Sequence, residues 1–129
     1  MRFEEEQLQV RCVSFLTYKY SHVVFHHSPN EGKRTQAQGA RLKKMGMCTG
    51  FPDLFIDDGK TVLYIEFKTT KGRQTPEQKD LQTRLEKIGR KYFLCRSYED
   101  FIKICHENLG PETDPDLEQL RRILNVKTK

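Results

Sequence analysis

The chain has 129 residues, 36% hydrophobic and 32% charged, which describes one domain with a core of its own and a wet surface. Its 23 Lys and Arg against 18 Asp and Glu leave a formal charge of +5, favouring an anionic partner. No apolar run approaches the length of a membrane span, the opening Met1-Arg2-Phe3-Glu4-Glu5-Glu6 is not a signal peptide, and Cys12, Cys48, Cys95 and Cys105 form no Cys-x-x-Cys pair. The expectation is a cytoplasmic protein with reduced cysteines, no membrane partner and no zinc framework.

In chain order, Glu4 to about Lys19 reads as a helix, because Leu8, Cys12, Phe15 and Leu16 recur at helical spacing and Val13 widens the stripe. Glu4, Glu5 and Glu6 in its first turn suit the positive end of the helix dipole. Glu5 and Gln9, one turn apart, share a face beside the apolar stripe. Ser21 to His27 alternates weakly and predicts the first strand, with Val23 and Phe25 on one face. His22 and His26 stand four apart, a zinc spacing only on a helix, and this segment is β-branched. Ser28-Pro29-Asn30-Glu31-Gly32 is a turn signal in which Asn is favoured on its own account.

From Gly32 to Pro52 there is no acidic residue, while Lys33, Arg34, Arg41, Lys43 and Lys44 are basic. Gln36 to Met45 predicts a short helix or helical loop closed by Gly46. A charge run is often only a solvated face, but this one leads into Gly50-Phe51-Pro52-Asp53 and would border any site there. Contacts from Lys and Arg to phosphate supply most nonspecific DNA affinity.

Asp53 opens the run Leu54-Phe55-Ile56, and the turn Asp57-Asp58-Gly59-Lys60 joins it to Thr61 through Lys68, a β-hairpin pattern. The second run is apolar on both faces, Val62 and Tyr64 on one and Leu63, Ile65 and Phe67 on the other, as in a strand covered on both sides. Glu66 and Lys68 leave the same face, while Phe67 points to the opposite core. Burying lone charges is costly unless they are paired or hold a metal. A salt bridge from Glu66 to Lys68 or Lys60 is one solution. The other is convergence of Asp53, Glu66 and Lys68 on a hard divalent cation, which takes oxygen ligands.

After the polar loop Thr69 to Gln74, which carries Lys71 and Arg73, Thr75-Pro76-Glu77-Gln78 is a capping-box signature. Its helix runs to about Ile88 with Leu81, Leu85 and Ile88 apolar, and stops at Gly89. Lys91 to Arg96 predicts a strand, and Ser97 to about Asn108 a helix with Phe101, Ile102, Cys105 and Leu109 as its core face. Gly110 to Pro115 reads as a linker. Asp116 to about Val126 predicts a short amphipathic helix through Leu117, Leu120, Ile123 and Leu124, packing on its own domain or on a second subunit. The domain assignment is 1–109, followed by a linker and helix at 110–129.

Pro-Asp, a short gap and Glu-x-Lys together resemble the PD-(D/E)xK nuclease superfamily. Glu-x-x-Leu-Gln at Glu5, Pro-Asn-Glu at Pro29, Gly-x-Pro-Asp at Gly50, Glu-x-Lys at Glu66 and Thr-Pro-x-Gln at Thr75 follow in the order of one branch, the virus-type replication-repair nuclease (VRR-NUC) domains. Tyr98-Glu99-Asp100-Phe101 resembles how that domain closes, so the resemblance spans Glu5 to about Phe101. It implies an α/β fold with a restriction-endonuclease-like core (αβββαβ), a central mixed sheet flanked by helices, and a further helix after it. It implies Mg2+ or Mn2+ held by Glu5, Asp53, Glu66 and the backbone carbonyl of Phe67. Lys68 assists hydrolysis, and Gln78 lies beside Glu66 and Lys68, a role compatible with its capping role. Asn30, Lys33, Arg34, Arg41, Lys43, Lys44, Lys71 and Arg73 would face DNA, Asn30 without chemistry of its own. Short members of the branch resemble viral and phage homodimers that cut branched DNA, including four-way junctions. Flap or nonspecific cleavage, or a non-catalytic nucleic-acid-binding module of the same fold, are the alternatives.

Overall fold

A computed structural model describes residues 2–29, 34–113, 119 and 122–124. The elements are α1 (Arg2–Lys19), β1 (Val24–His27), α2 (Gln36–Lys44), β2 (Leu54–Asp57), β3 (Val62–Phe67), α3 (Pro76–Lys87), β4 (Lys91–Cys95) and α4 (Tyr98–Leu109). The strands form one sheet in the order β1-β2-β3-β4. Neighbours β1–β2 and β2–β3 are antiparallel, while β4 returns parallel to β3 after α3. A parallel return needs such a crossover, whereas the hairpin turns through Gly59 at φ +89°.

Alternation along the strands sorts the chain into two layers of core. Leu63, Ile65 and Phe67 of β3 join Leu54, Ile56 and Cys95 against Cys12, Phe15 and Leu16 of α1 and Phe101, Cys105 and Leu109 of α4. The opposite face is smaller: Leu81 and Leu85 of α3 close over Tyr92, with Tyr64, Phe51 and Cys48 at its margin. Glu66 and Lys68 belong to this second face, as their period from Tyr64 requires.

Three details differ from the expectations. The first strand begins at Val24, not Ser21, because the chain turns there and the Val23 N–H donates to the Tyr20 carbonyl (3.2 Å). Val23 and Phe25 still face the core, and Val24 is 70% exposed on the edge strand. Ile88 does not continue the Leu81–Leu85 stripe. It is the C-cap of α3 (φ −93°, ψ 14°), leaves the helical spiral, and stands 71% exposed.

Gly110 to Thr113, expected as a linker, is fastened to the end of α1. The Tyr20 hydroxyl donates to the Gly110 carbonyl (2.8 Å), the Thr113 N–H donates to the Lys19 carbonyl (2.6 Å), and Glu112 meets His106 (2.5 Å) and Lys19 (3.7 Å). Most of the helix expected over 116–126, with Leu117 and Leu120, lies outside the described residues. Ile123 and Leu124 are described and exposed.

Candidate active site

Register brings the two hairpin carboxylates together. Leu54 pairs with Ile65, so one step further Asp53 stands opposite Glu66. Asp53 is held from both sides: its Oδ2 accepts the Phe67 N–H (2.8 Å), and its carbonyl accepts the Ser28 N–H (3.0 Å) and the Nδ1–H of His27 (2.8 Å). The Gln9 side-chain amide lies 2.8 Å from the same His27 nitrogen, so α1, which carries Glu5, runs beside the strand next to Asp53.

The approach to Asp53 explains its glycine. Gly50 sits at φ +79°, and a Cβ there would lie 2.7 Å from the Glu77 carbonyl carbon, 2.8 Å from its oxygen and 2.9 Å from the Gln78 nitrogen. The loop is therefore pressed onto the first turn of α3, and only glycine permits both the backbone angle and the approach.

That first turn points a side chain back at Glu66. Thr75 caps α3 through a capping box, in which its Oγ1 accepts the Gln78 N–H (3.1 Å) and its own N–H donates to the Gln78 Oε1 (2.9 Å). Because the cap takes the amide oxygen, the amide nitrogen faces away and donates to the Glu66 Oε2 at 2.9 Å. Gln78 thus caps α3 and holds the Glu66 carboxylate at once.

Glu66 is 2% exposed, and its Oε1 is buried without a hydrogen-bond partner. Burial, and then the negative charge of Asp53, push its carboxyl up to about 9, with Lys68 opposing. Free of a cation, Glu66 therefore favours its protonated form. Glu5, Asp53, Glu66, Lys68 and Gln78 all line one cavity of about 420 Å³.

The residues fit a hard divalent ion at the Asp53–Glu66 pair: the donors are carboxylate oxygens, one of them unpartnered, and a cation there removes the repulsion that the proton otherwise relieves. Among the described residues, no three His, Cys, Asp or Glu side chains stand close enough to clasp an ion together. Glu5 therefore faces the pair across the cavity without closing a three-carboxylate set. Phe67 contributes its N–H to Asp53, while its ring packs against Phe101 with centroids 6.0 Å apart.

None of the described residues expected to face DNA lines this cavity. Arg41, Lys43 and Lys44 are exposed on α2, and Lys43 shares with Thr49 and Glu77 a neighbouring groove that abuts the site. Arg34 is exposed, its guanidinium donating to the Pro29 carbonyl (3.1 Å) and Met47 sulfur (3.2 Å). Lys71 and Arg73 are exposed on the loop between β3 and α3. Asn30 and Lys33 lie outside the described residues.

Three residues escaped the sequence reading. His27 was overlooked beside the His22–His26 spacing. Glu77 lines the cavity but reads as an ordinary first-turn acid. Arg96, whose guanidinium donates to backbone carbonyls of the loop after Lys68, has no signal until the β3–β4 register is known.

A mixed sheet that presents Pro-Asp and Glu-x-Lys at one strand end, beneath a helix cap, defines a nuclease-type domain of the PD-(D/E)xK class. The family model for the VRR-NUC domain matches residues 3–99, and the chain belongs to that family. DNA is the substrate that a nuclease domain implies. A solved structure described as a VRR_NUC domain protein shares the fold, with TM-score 0.67 at 23% identity over 85% of this chain and 96% of that one. No curated protein matches the chain. Among the described residues no helix is long and apolar enough to cross a membrane.

Proposed function

We propose that the protein is a metal-dependent endodeoxyribonuclease that hydrolyses phosphodiester bonds at branch points in DNA, four-way (Holliday) junctions first among them. The single observation that carries the catalytic part is the buried Asp53–Glu66 pair, with its unpartnered Glu66 oxygen, in one cavity with Lys68. Binding DNA alone gives no reason to hold carboxylates against phosphates, and this counts against a non-catalytic module.

In this reading Asp53 and Glu66 hold Mg2+ or Mn2+, with the Phe67 carbonyl a further ligand by family resemblance and Glu5 facing the ion from across the cavity. When bound, such an ion supplies Lewis-acid charge at the scissile phosphate. Lys68 keeps an ammonium beside Glu66, where it orients the attacking water and meets the negative charge that develops on the phosphate. Gln78 holds the Glu66 carboxylate in one orientation. The basic residues of α2 and of the β3–α3 loop give the strand its path past the cavity.

A homodimer of the short viral or phage type belongs to the same proposal, since two sites related by a two-fold axis suit paired nicks across a symmetric junction. Phe3 and Val10, exposed one heptad apart on α1, support a contact surface there.

The test is cleavage of labelled four-way junction, flap, linear duplex and single-stranded DNA with Mg2+ or Mn2+, wild type beside Glu66→Ala and Lys68→Ala. Paired symmetric cuts on the junction, lost in both variants, are expected. Lys68→Ala should keep the rise in Tm that the metal produces. Equal cutting of every substrate would replace junction selectivity with flap or nonspecific nuclease activity, and junction binding without cutting would leave only the binding module.

A further inference from the structure

We propose that Arg96 is a positioning residue for Lys68, acting through the backbone of the loop Thr69–Gly72. The inference rests on the assignment of Lys68 to catalysis and names what holds that lysine in place.

Lys68 is the first residue beyond β3, where the sheet no longer constrains its side chain. Its own N–H donates to the Cys95 carbonyl (3.0 Å), so the backbone at Lys68 is anchored to the last residue of β4. Arg96 follows immediately. Its Nη1 donates to the carbonyls of Thr69 (2.6 Å) and Gly72 (2.7 Å) and approaches that of Thr70 at 3.4 Å, in a half-buried setting. One guanidinium thus gathers a turn that is otherwise closed by a single backbone bond, from the Gly72 N–H to the Thr69 carbonyl (3.1 Å). Charged donors to carbonyls make stronger hydrogen bonds than neutral ones.

The gathered turn lies against the lysine. A Cβ on Gly72 would stand 3.4 Å from the Lys68 Cδ and 3.2 Å from the Thr69 Oγ1. The Gly72 backbone is therefore a wall along the lysine stem, and Arg96 holds that wall by its carbonyl. A four-carbon side chain with free rotation carries a large rotamer entropy. Restricting it against a fixed backbone keeps the ammonium at the cavity without occupying any of its N–H donors.

Arg96 does not line the cavity, and its hydrogen bonds go to Thr69, Thr70 and Gly72 and not to Lys71 or Arg73, so its effect should separate from binding. In Arg96→Ala, kcat on whichever DNA the wild type cuts should fall about 10- to 100-fold, the order that a misplacement near 1 Å produces. KM and the metal-induced rise in Tm should stay within about threefold and about one degree of wild type, on the same reasoning that binding groups are untouched. Arg96→Lys, which keeps the charge but loses the fork, should recover part of kcat. In the metal-free protein, without any substrate, amide exchange at Thr69–Gly72 should accelerate in Arg96→Ala, and the Lys68 ε-CH2 signal should collapse toward that of solvent lysines.

A rise in KM with kcat unchanged would overturn the proposal, because the loop would then serve Lys71 and Arg73 instead. Loss of the metal effect on Tm would reduce Arg96 to a general stabiliser, and unchanged exchange and Lys68 signals would remove the physical link. If the wild type cuts no DNA, the nuclease reading fails while these spectroscopic outcomes still decide whether Arg96 orders Lys68.

Discussion

The amide nitrogen of Gln78 donates to the Glu66 Oε2 at 2.9 Å, while the same amide's oxygen accepts the N–H of the cap residue Thr75 at 2.9 Å. A helix terminus and a buried carboxylate are thereby joined through one planar group, and neither end is free to turn without releasing the other. Two substitutions separate the roles. Gln78→Ala loses both and should lower stability by about 1 kcal/mol, as for loss of a cap interaction, together with cleavage. Gln78→Glu keeps an acceptor for Thr75 and so keeps the cap, but sets a third acid against Asp53 and Glu66. Its urea midpoint near pH 5 should therefore stay close to wild type while its cleavage rate drops like that of Gln78→Ala. Equal activity in wild type and Gln78→Glu would show that the contact with Glu66 does not matter.

The state of Glu66 has a sign that can be tested. Its carboxyl is raised from an ordinary 4.5 to about 9 by burial and by Asp53, so between those values the folded protein holds a proton that the unfolded chain has lost. Stability then falls as pH rises through that window, since unfolding releases a proton. In Glu66→Gln, the new amide accepts from Gln78 and donates toward Asp53 without carrying charge. Metal-free Glu66→Gln should show a flatter profile of Tm against pH between about 5 and 9 and exceed wild type at pH 8 by several degrees, the shift that roughly 1 to 2 kcal/mol produces in a domain of this size. Added Mg2+ or Mn2+ should raise the wild-type Tm more at pH 8 than at pH 5 and should leave Glu66→Gln nearly unmoved. A wild-type Tm that climbs from pH 5 to 9 without metal would contradict the protonated state of Glu66.

Gly50 offers a test of how Asp53 is carried to the site. Gly50→Ala meets α3 backbone at 2.7 to 2.9 Å on top of a strained φ of +79°, whereas Gly59→Ala at φ +89° meets nothing within 4 Å. Left-handed strain alone costs about 1 kcal/mol, and forced repacking adds about 1 to 3 kcal/mol. The denaturation midpoint of Gly50→Ala should accordingly fall well below that of Gly59→Ala, with cleavage impaired only in the former because Asp53 is displaced. Similar midpoints for the two would mean that the loop does not press on α3.

Much of this site is legible in the sequence, and the reason is local. Thr75, Pro76 and Gln78 lie within four residues, so their cap follows from sequence alone. Asp53 and Glu66 are brought together by a hairpin whose turn and alternation are both written in the chain. What was not readable depends on pairing between distant segments. Arg96 reaches the Thr69–Gly72 turn only because β4 lies parallel beside β3, and His27 reaches Asp53 only because β1 adds to the edge of β2. Ile88 misled for another reason. Its spacing continues the apolar stripe of α3, but the helix has already ended there.

The exposed cations of α2 bear on affinity rather than chemistry, which makes their expected signature different from that of every residue above. Arg41, Lys43 and Lys44 stand on a helix with no acidic residue and do not line the cavity. If they contact phosphates, each releases condensed counterions and steepens the dependence of binding on salt by about 0.9 per contact on duplex DNA. The triple substitution to Ala should weaken binding of a catalytically dead Lys68→Ala protein to labelled duplex and junction alike. It should also reduce the slope of log affinity against log salt by up to about three. In the otherwise wild-type enzyme, cleavage at saturating DNA should be unaffected by the same triple change. An unaltered slope would confine these residues to a solvated face, and the DNA path would then have to run over the Lys71 and Arg73 side of the cavity.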